Sequence, residues 1–189
     1  MPSKSELKRR TFLQTLGTAG LVAPALPSKL VAAAPNGRLR HASFGAGGMA
    51  GHDIDMICSS PKVDFVAVAE VDLQRGVPEL MEKYPHLRVY QDWRELLDRE
   101  HHNIDSVNVS TPDHMHGPIA MEAMRRGKHV YCQKPLAHDI YDVRQLTNYA
   151  REHGLVTQMG IQIHSESPYL EAVSLVQRGA IGKVKEVRL

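Results

Sequence analysis

Three observations predict an α/β architecture built on a doubly wound parallel sheet. From Arg38 onward short β-rich runs alternate with segments of helical spacing, which is the pattern of βαβ units. One run, Val63–Ala69, is nearly all apolar and β-branched, as a strand buried on both faces requires. A glycine cluster, Gly45–Gly51, separates the first strand pattern from the first helical one.

The elements follow in order. Leu39–Phe44 reads as a strand. Asp53–Ser60 carries Ile54, Ile57 and Cys58 at helical spacing, and Pro61 stops it. After the strand Val63–Ala69, a helix is predicted over Leu73–Tyr84 with Pro78 in its first turn. A short strand, Arg88–Tyr90, and a short helix, Trp93–Asp98, come next. Ile104–Val109 is the following strand and Ser110–Asp113 its turn. A helix over His116–Arg126 closes at Gly127, a C-cap glycine. The strand His129–Cys132, the helix Ile140–His153, the strand Val156–Ile161 and the helix Tyr169–Arg178 complete the alternation. Ile181–Leu189 reads as a further strand, with Val184, Val187 and Leu189 apolar. A strand there needs a partner element, so the sequence is expected to be part of a longer protein.

Composition bounds the function. The 189 residues are 42% hydrophobic and 23% charged, ordinary values for a globular chain. A net charge of +2 gives no basic field for nucleic acid. No apolar run reaches the roughly 18–20 residues of a membrane span. Two cysteines, Cys58 and Cys132, make neither a disulfide framework nor a cysteine zinc site, and each is expected to be buried rather than reactive. Residues 1–34 stand apart. Lys8-Arg9-Arg10 precedes the mildly apolar run Thr11–Leu26, and Ala32-Ala33-Ala34 follows, the order of an export signal. Lys8-Arg9-Arg10-Thr11-Phe12-Leu13 resembles the twin-arginine (Tat) signal, an address read by a receptor. The Tat export machinery is then a partner and the expected location is periplasmic or otherwise exported, or cytoplasmic if the signal does not function. A disordered basic tail is the alternative. Removing this segment takes away five cations and one acid, so 23 and 21 become 18 and 20 and the net charge turns from +2 to −2.

Gly45-Ala46-Gly47-Gly48-Met49-Ala50 fits G-x-G-x-x-G/A between a predicted strand and helix. Gly45 permits the tight turn, Gly47 admits a pyrophosphate, and Ala50 is small enough for close helix–strand packing. Gly48 and Met49 of the turn are expected to contact the cofactor, and the N-terminus of the helix that follows offers free N–H groups to the phosphates. Glu70 ends the second strand 25 residues after Gly45, the place of the acid that binds the adenosine ribose hydroxyls. Its carboxylate favours NAD over NADP. Asp72 competes for the same role, and Arg75 could neutralise a 2′-phosphate, which keeps NADP open.

Two further segments, Ser110-Thr111-Pro112-Asp113-His114-Met115-His116 and Tyr131-Cys132-Gln133-Lys134-Pro135-Leu136, complete a resemblance to the Gfo/Idh/MocA oxidoreductases from about Leu39 to Leu189. The family's T-P-x-x-x-H falls on Thr111, Pro112 and His116, and its E-K-P on Gln133, Lys134 and Pro135. The resemblance implies a Rossmann domain binding NAD(P) over residues 38–165. It implies that 166–189 hold a connecting helix and the start of a C-terminal substrate domain, of which only the first strand is present. That domain would carry a catalytic acid/base and the contacts of a homo-oligomer. Ser110, Thr111 and Pro112 would lie near the nicotinamide, and His116 would approach the cofactor. Lys134 would be the catalytic lysine, near the nicotinamide ribose and the reacting hydroxyl, where an ammonium stabilises alkoxide charge. Gln133 stands where glutamate is commoner, and an amide neither titrates nor pairs ionically with Lys134. Gln162 and His164 are candidates for the substrate side.

The function implied is hydride transfer between a nicotinamide cofactor and a carbohydrate-like small molecule: a sugar, cyclitol or polyol. An exported NAD-dependent glycosidase, working by transient oxidation, is the alternative. A non-catalytic nucleotide-binding fragment is another. Methyl transfer from S-adenosylmethionine would share the glycine turn but leaves Thr111-Pro112 and Lys134-Pro135 unexplained. No metal role is assigned: His101-His102 reads as a solvated loop, and Asp113, His114 and His116 lack the spacing of a site. Trp93 reads as a packing anchor, and Met115, Met121 and Met124 as the core face of a helix.

Overall fold

The structure, a computed structural model, describes residues 37–188; the export signal expected in residues 1–34 lies outside them. Six strands form one sheet: β1 (Leu39–Phe44), β2 (Val63–Ala69), β3 (Arg88–Tyr90), β4 (Ser106–Val109), β5 (His129–Gln133) and β6 (Thr157–Gly160). Their order is β3-β2-β1-β4-β5-β6, and every pairing is parallel. The chain therefore winds outward from β1 to β3, returns to β4 beside β1, and winds the other way. The connections are α1 (Met49–Cys58), α2 (Val77–Lys83), α3 (Trp93–Glu100), α4 (His116–Arg125) and α5 (Ile140–Glu152), with α6 (Ser167–Gln177) after the sheet.

Two cores result. Leu96 and Leu97 of α3, Ile119 and Ala123 of α4 and Leu146 of α5 pack with Ala42, Phe44, Val107 and Val109 of the sheet. The other cluster joins Ile54 of α1 and Val77 and Leu80 of α2 to Phe65 and Val68 of β2. A fully buried leucine, isoleucine or phenylalanine contributes about 1.5–3 kcal/mol, so these clusters fix which face each helix covers. Trp93 packs at the edge of the first cluster, with Arg94 over its ring at 4.4 Å. Met124 is buried in that cluster, with Met115 and Met121 partly buried against it.

Most boundaries shift by one or two residues; two helix starts move further, and one predicted strand is not formed. α1 begins four residues earlier than its apolar spacing suggests, because Gly48 takes φ 58 and turns the chain straight into the helix. α2 begins at Val77, not Leu73. Asp72 accepts from the Gln74 amide at 3.1 Å, which holds a turn, and Gly76 at φ 78 precedes the helix. The strand predicted over Ile181–Leu189 is not formed: 181–188 is irregular, Val184 and Val187 are exposed, and no described strand pairs with it. An isolated strand has no ladder to satisfy its amides.

Under α1 the middle of the sheet is polar. His41, Ser43, Ser106 and Asn108 are all buried. His41 Nδ1 lies 2.8 Å from Ser106 Oγ and its Nε2 3.1 Å from Asn108 Oδ1. Asn108 Nδ2 donates to Ser110 Oγ at 3.0 Å, and Ser110 Oγ donates to Asp53 Oδ2 at 2.7 Å. With the proton on Nε2, every donor in this ladder faces an acceptor. Burial pushes the His41 pKa down to about 4, the Asn108 contact opposing it. An unfolded chain titrates near 6.5. Stability is therefore complete above about pH 6.5 and falls progressively toward pH 4, where only the unfolded chain takes up the proton. Between pH 7 and 5 this loss is about 2 kcal/mol. Calorimetry should show a steeper fall in melting temperature over that range for the native chain than for His41→Gln; equal slopes would contradict the assignment.

Candidate functional site: the dinucleotide cleft

The outward winding reverses between β1 and β4, and a crevice opens there beyond the strand ends, the usual ligand position in such sheets. Gly45 leaves β1 with φ +103, and a Cβ on it would meet the Ser110 carbonyl oxygen at 2.6 Å. Only glycine lets the loops after β1 and β4 lie this close. The turn runs into α1, whose N-terminus has no side-chain cap. By contrast Asp92 caps α3 and Asp139 caps α5. Among the described residues the Gly47, Gly48 and Met49 amides donate to no acceptor. They form, with the helix dipole, a ready anion site.

Glu70 sits at the end of β2, where Oε2 accepts from the Ala46 amide at 2.9 Å and Oε1 from the Asp72 amide at 3.1 Å. The carboxylate is thus tied to the glycine turn itself. Arg75 lies across the same turn: a Cβ on Gly47 would meet its Cγ at 2.9 Å. Gly76 closes the loop, since a Cβ there would meet the Ala46 carbonyl at 2.8 Å. Sequence reasoning passed over Gly76; its place just ahead of Val77-Pro78 was the available signal.

On the other side of the crevice, Ser110, Thr111 and Pro112 follow β4. Thr111 Oγ1 is buried with no hydrogen-bond partner, an orphaned donor and acceptor beside the expected nicotinamide position. His116 is 1% exposed. Its Nδ1 lies 2.6 Å from the Pro135 carbonyl and its Nε2 2.7 Å from the Thr111 carbonyl. The ring is therefore a tie between two loops and has no surface to offer a cofactor, which corrects the expected direct approach. Lys134 is exposed, and its peptide bond to Pro135 is cis. The structure therefore brings together Gly45, Gly47, Gly48, Met49, Ala50 and Glu70 on one side, and Ser110, Thr111, Gln133 and Lys134 on the other.

Gln133 is buried, and its Nε2 donates to both Asp53 oxygens at 3.1 and 3.0 Å. Gln162 Nε2 reaches Asp53 Oδ1 at 3.0 Å, so Gln162 joins this cluster, whereas His164 stacks on Tyr169 away from it, with ring centroids 5.2 Å apart. Asp53 itself was missed. Its partners lie 57, 80 and 109 residues away, and it carries no local motif. Burial pushes the Cys132 thiol up to about 12 and Cys58 to about 11, so neither is an activated nucleophile. Among the described residues no group of three His, Cys, Asp or Glu side chains is placed to hold a metal.

Residues 39–161 match the family model described as oxidoreductase family, NAD-binding Rossmann fold. The chain belongs to the Gfo/Idh/MocA family. Levoglucosan dehydrogenase from Pseudarthrobacter phenanthrenivorans is 29% identical over 97 residues, covering 51% of this chain and 24% of that protein. A glycosyl hydrolase family 109 protein from Shewanella sp. (strain ANA-3) is 27% identical over 205 residues, covering 94% and 44%. The crystal structure of GenD2 from gentamicin A biosynthesis, in complex with NAD, superposes with a TM-score of 0.66 at 30% identity, covering 73% of this chain and 38% of that one. The chain thus spans less than half the length of these relatives.

The residues present fit a dinucleotide: unclaimed amides at a helix start, a cradle that a Cβ would fill, a carboxylate tied to the glycine turn and an orphaned hydroxyl. Gly45→Ala, with its strained φ and its clash with Ser110, should separate the two sides of the crevice. We expect a loss of at least about 2 kcal/mol of stability by chemical denaturation; an unchanged midpoint would show that the turn tolerates a side chain.

Proposed function

We propose that this chain is the cofactor-binding half of an exported NAD-dependent oxidoreductase acting on a hydroxyl of a sugar, cyclitol or related polyol. The observation that carries the reading is the convergence, at one switch point, of an anion-ready helix start with the buried orphan hydroxyl of Thr111. Gly47, Gly48 and Met49 would hold the pyrophosphate and Glu70 the adenosine ribose. Ser110, Thr111 and Lys134 would face the nicotinamide. Bound NAD would supply the hydride chemistry. The chain's own residues orient it, and the exposed Lys134 ammonium offers a hydrogen bond to the reacting oxygen, stabilising charge as its proton moves. His116 acts at one remove, fixing the Thr111 and Pro135 carbonyls. The twin-arginine segment would direct export, and the oligomer contacts would lie in a C-terminal substrate domain.

A second reading, glycoside cleavage by transient oxidation, is favoured by the Shewanella relative, whose name is that of a glycosyl hydrolase and whose match covers 94% of the chain. The two separate on product: an oxidoreductase accumulates NADH, and a glycosidase releases free sugar while the cofactor returns unchanged.

NADH titration followed by nicotinamide fluorescence tests the cofactor assignment. NADH should bind at least about tenfold more tightly than NADPH, a difference of about 1.4 kcal/mol, because Glu70 opposes a 2′-phosphate. Binding of neither nucleotide would remove the reading; tighter NADPH would assign Arg75, not Glu70, the deciding role. Lys134→Met should lower turnover by about 10²-fold or more while NADH affinity stays within about threefold. Unchanged turnover would take Lys134 out of the mechanism.

A further inference from the structure

Asp53 is 3% exposed and Gln133 4%, and the two meet in the floor of the crevice. The Asp53 carboxyl group is approached from three strand ends at once. Ser110 Oγ after β4 donates to Oδ2 at 2.7 Å, Gln133 Nε2 at the end of β5 donates to both oxygens, and Gln162 Nε2 after β6 donates to Oδ1 at 3.0 Å. All three are neutral donors. Gln133 passes the contact on: its Oε1 accepts from the Lys134 amide at 3.3 Å. There is no slack around the amide, because a Cβ on Gly160 would lie 2.9 Å from Gln133 Nε2 and 2.8 Å from the Tyr131 hydroxyl. Burial and then the Asp53 carboxyl raise the Tyr131 pKa, which places that hydroxyl within the same electrostatic neighbourhood.

We infer that Asp53 is a positioning residue for the nicotinamide end of the cleft, aligning Ser110 and Lys134 through a 53–133 pair that accommodates one carboxyl group and only one. The reason is donor–acceptor balance. Asp53 offers only acceptors to three donors, so an amide in its place turns a donor toward donors and leaves buried groups unpaired. A second carboxyl at 133 would set two acidic groups about 3 Å apart, where both cannot ionise. Moving the carboxyl from 53 to 133 while moving the amide the other way keeps the count and the volume, and the pairing is kept once the Gln162 amide turns over, so that its oxygen accepts from the new amide at 53 while Ser110 still donates to the oxygen there. This also accounts for Gln133 where the resembling motif more commonly has glutamate: helix α1 already supplies the acid.

The test uses four full-length proteins: the native chain, Asp53→Asn, Gln133→Glu and the double exchange. Every change is isosteric, so packing alone predicts four similar proteins. NADH affinity, read by nicotinamide fluorescence, should weaken about tenfold or more in each single variant and return to within about threefold in the double. Melting temperature should follow the same pattern, with both single variants lowered by several degrees and the double restored. Single variants that match the native chain, or a double variant that sums the two losses, would overturn the inference. The affinity arm rests on the NAD reading and the melting arm does not. If the native chain binds no NADH, that reading fails and the melting temperatures alone decide the pair. Should Asp53→Asn not fold, folding of the double exchange is the rescue, and its failure overturns the inference.

Discussion

The approach of Gly45 to the Ser110 carbonyl, tighter than any side chain would allow, is the constraint on which the rest depends. It brings the loops after β1 and β4 together at the point where the sheet reverses its winding. Because those loops touch, the open end of α1 and the residues after β4 share one crevice. The glycine turn is then braced from outside, with Glu70 accepting from the Ala46 amide and Gly76 packed against the Ala46 carbonyl. The loop is held by these contacts while three of its amides have no acceptor among the described residues, and a site arranged in advance loses little ordering entropy when an anion binds.

Beneath the crevice the fold departs from a purely apolar core. A run of hydrogen bonds between neutral side chains passes from Ser106 and His41 through Asn108 to Ser110 and ends on the Asp53 carboxyl group. Each buried polar group costs stability unless it is paired, and here each member is paired. The arrangement trades hydrophobic stabilisation for orientation: Ser110 and Gln133 are held by directional bonds where packing alone would leave rotamers free. On the opposite face α3, α4 and α5 cover an ordinary apolar cluster, and a smaller one lies under α1 and α2 beside the polar run.

Much of this was legible in the sequence. β1, β2 and β3 fall on their predicted residues: β2 is rich in valine, and β1 is delimited by the glycine cluster that follows it. The glycine turn was readable because its spacing is local, and the position of Glu70 because it directly follows a recognisable strand. What escaped depends on distance or on backbone conformation. The early start of α1 hangs on Gly48 adopting a positive φ, with no side-chain cap to announce it. The late start of α2 hangs on Asp72 turning back to bond the Gln74 amide. The terminal apolar run reads as a strand by pattern, yet strands exist only in pairs. His116 shows the limit from another side. Its motif marks it as important, but only the structure tells that both ring nitrogens are taken by main-chain carbonyls. Asp53 draws its partners from the ends of three strands far away in sequence and left no trace in any local pattern.

Amide hydrogen exchange of the chain with and without NADH tests the central claim most directly, because it reports on both sides of the crevice in one experiment. The account predicts protection on NADH addition at Gly47–Met49, at the Glu70–Gly76 loop, and at the segments around Ser110–Thr111 and Gln133–Lys134. The peptides of β3 and the outer face of α5 should exchange as before. Protection confined to one side, or appearing elsewhere while the glycine turn exchanges freely, would contradict a dinucleotide spanning the switch point.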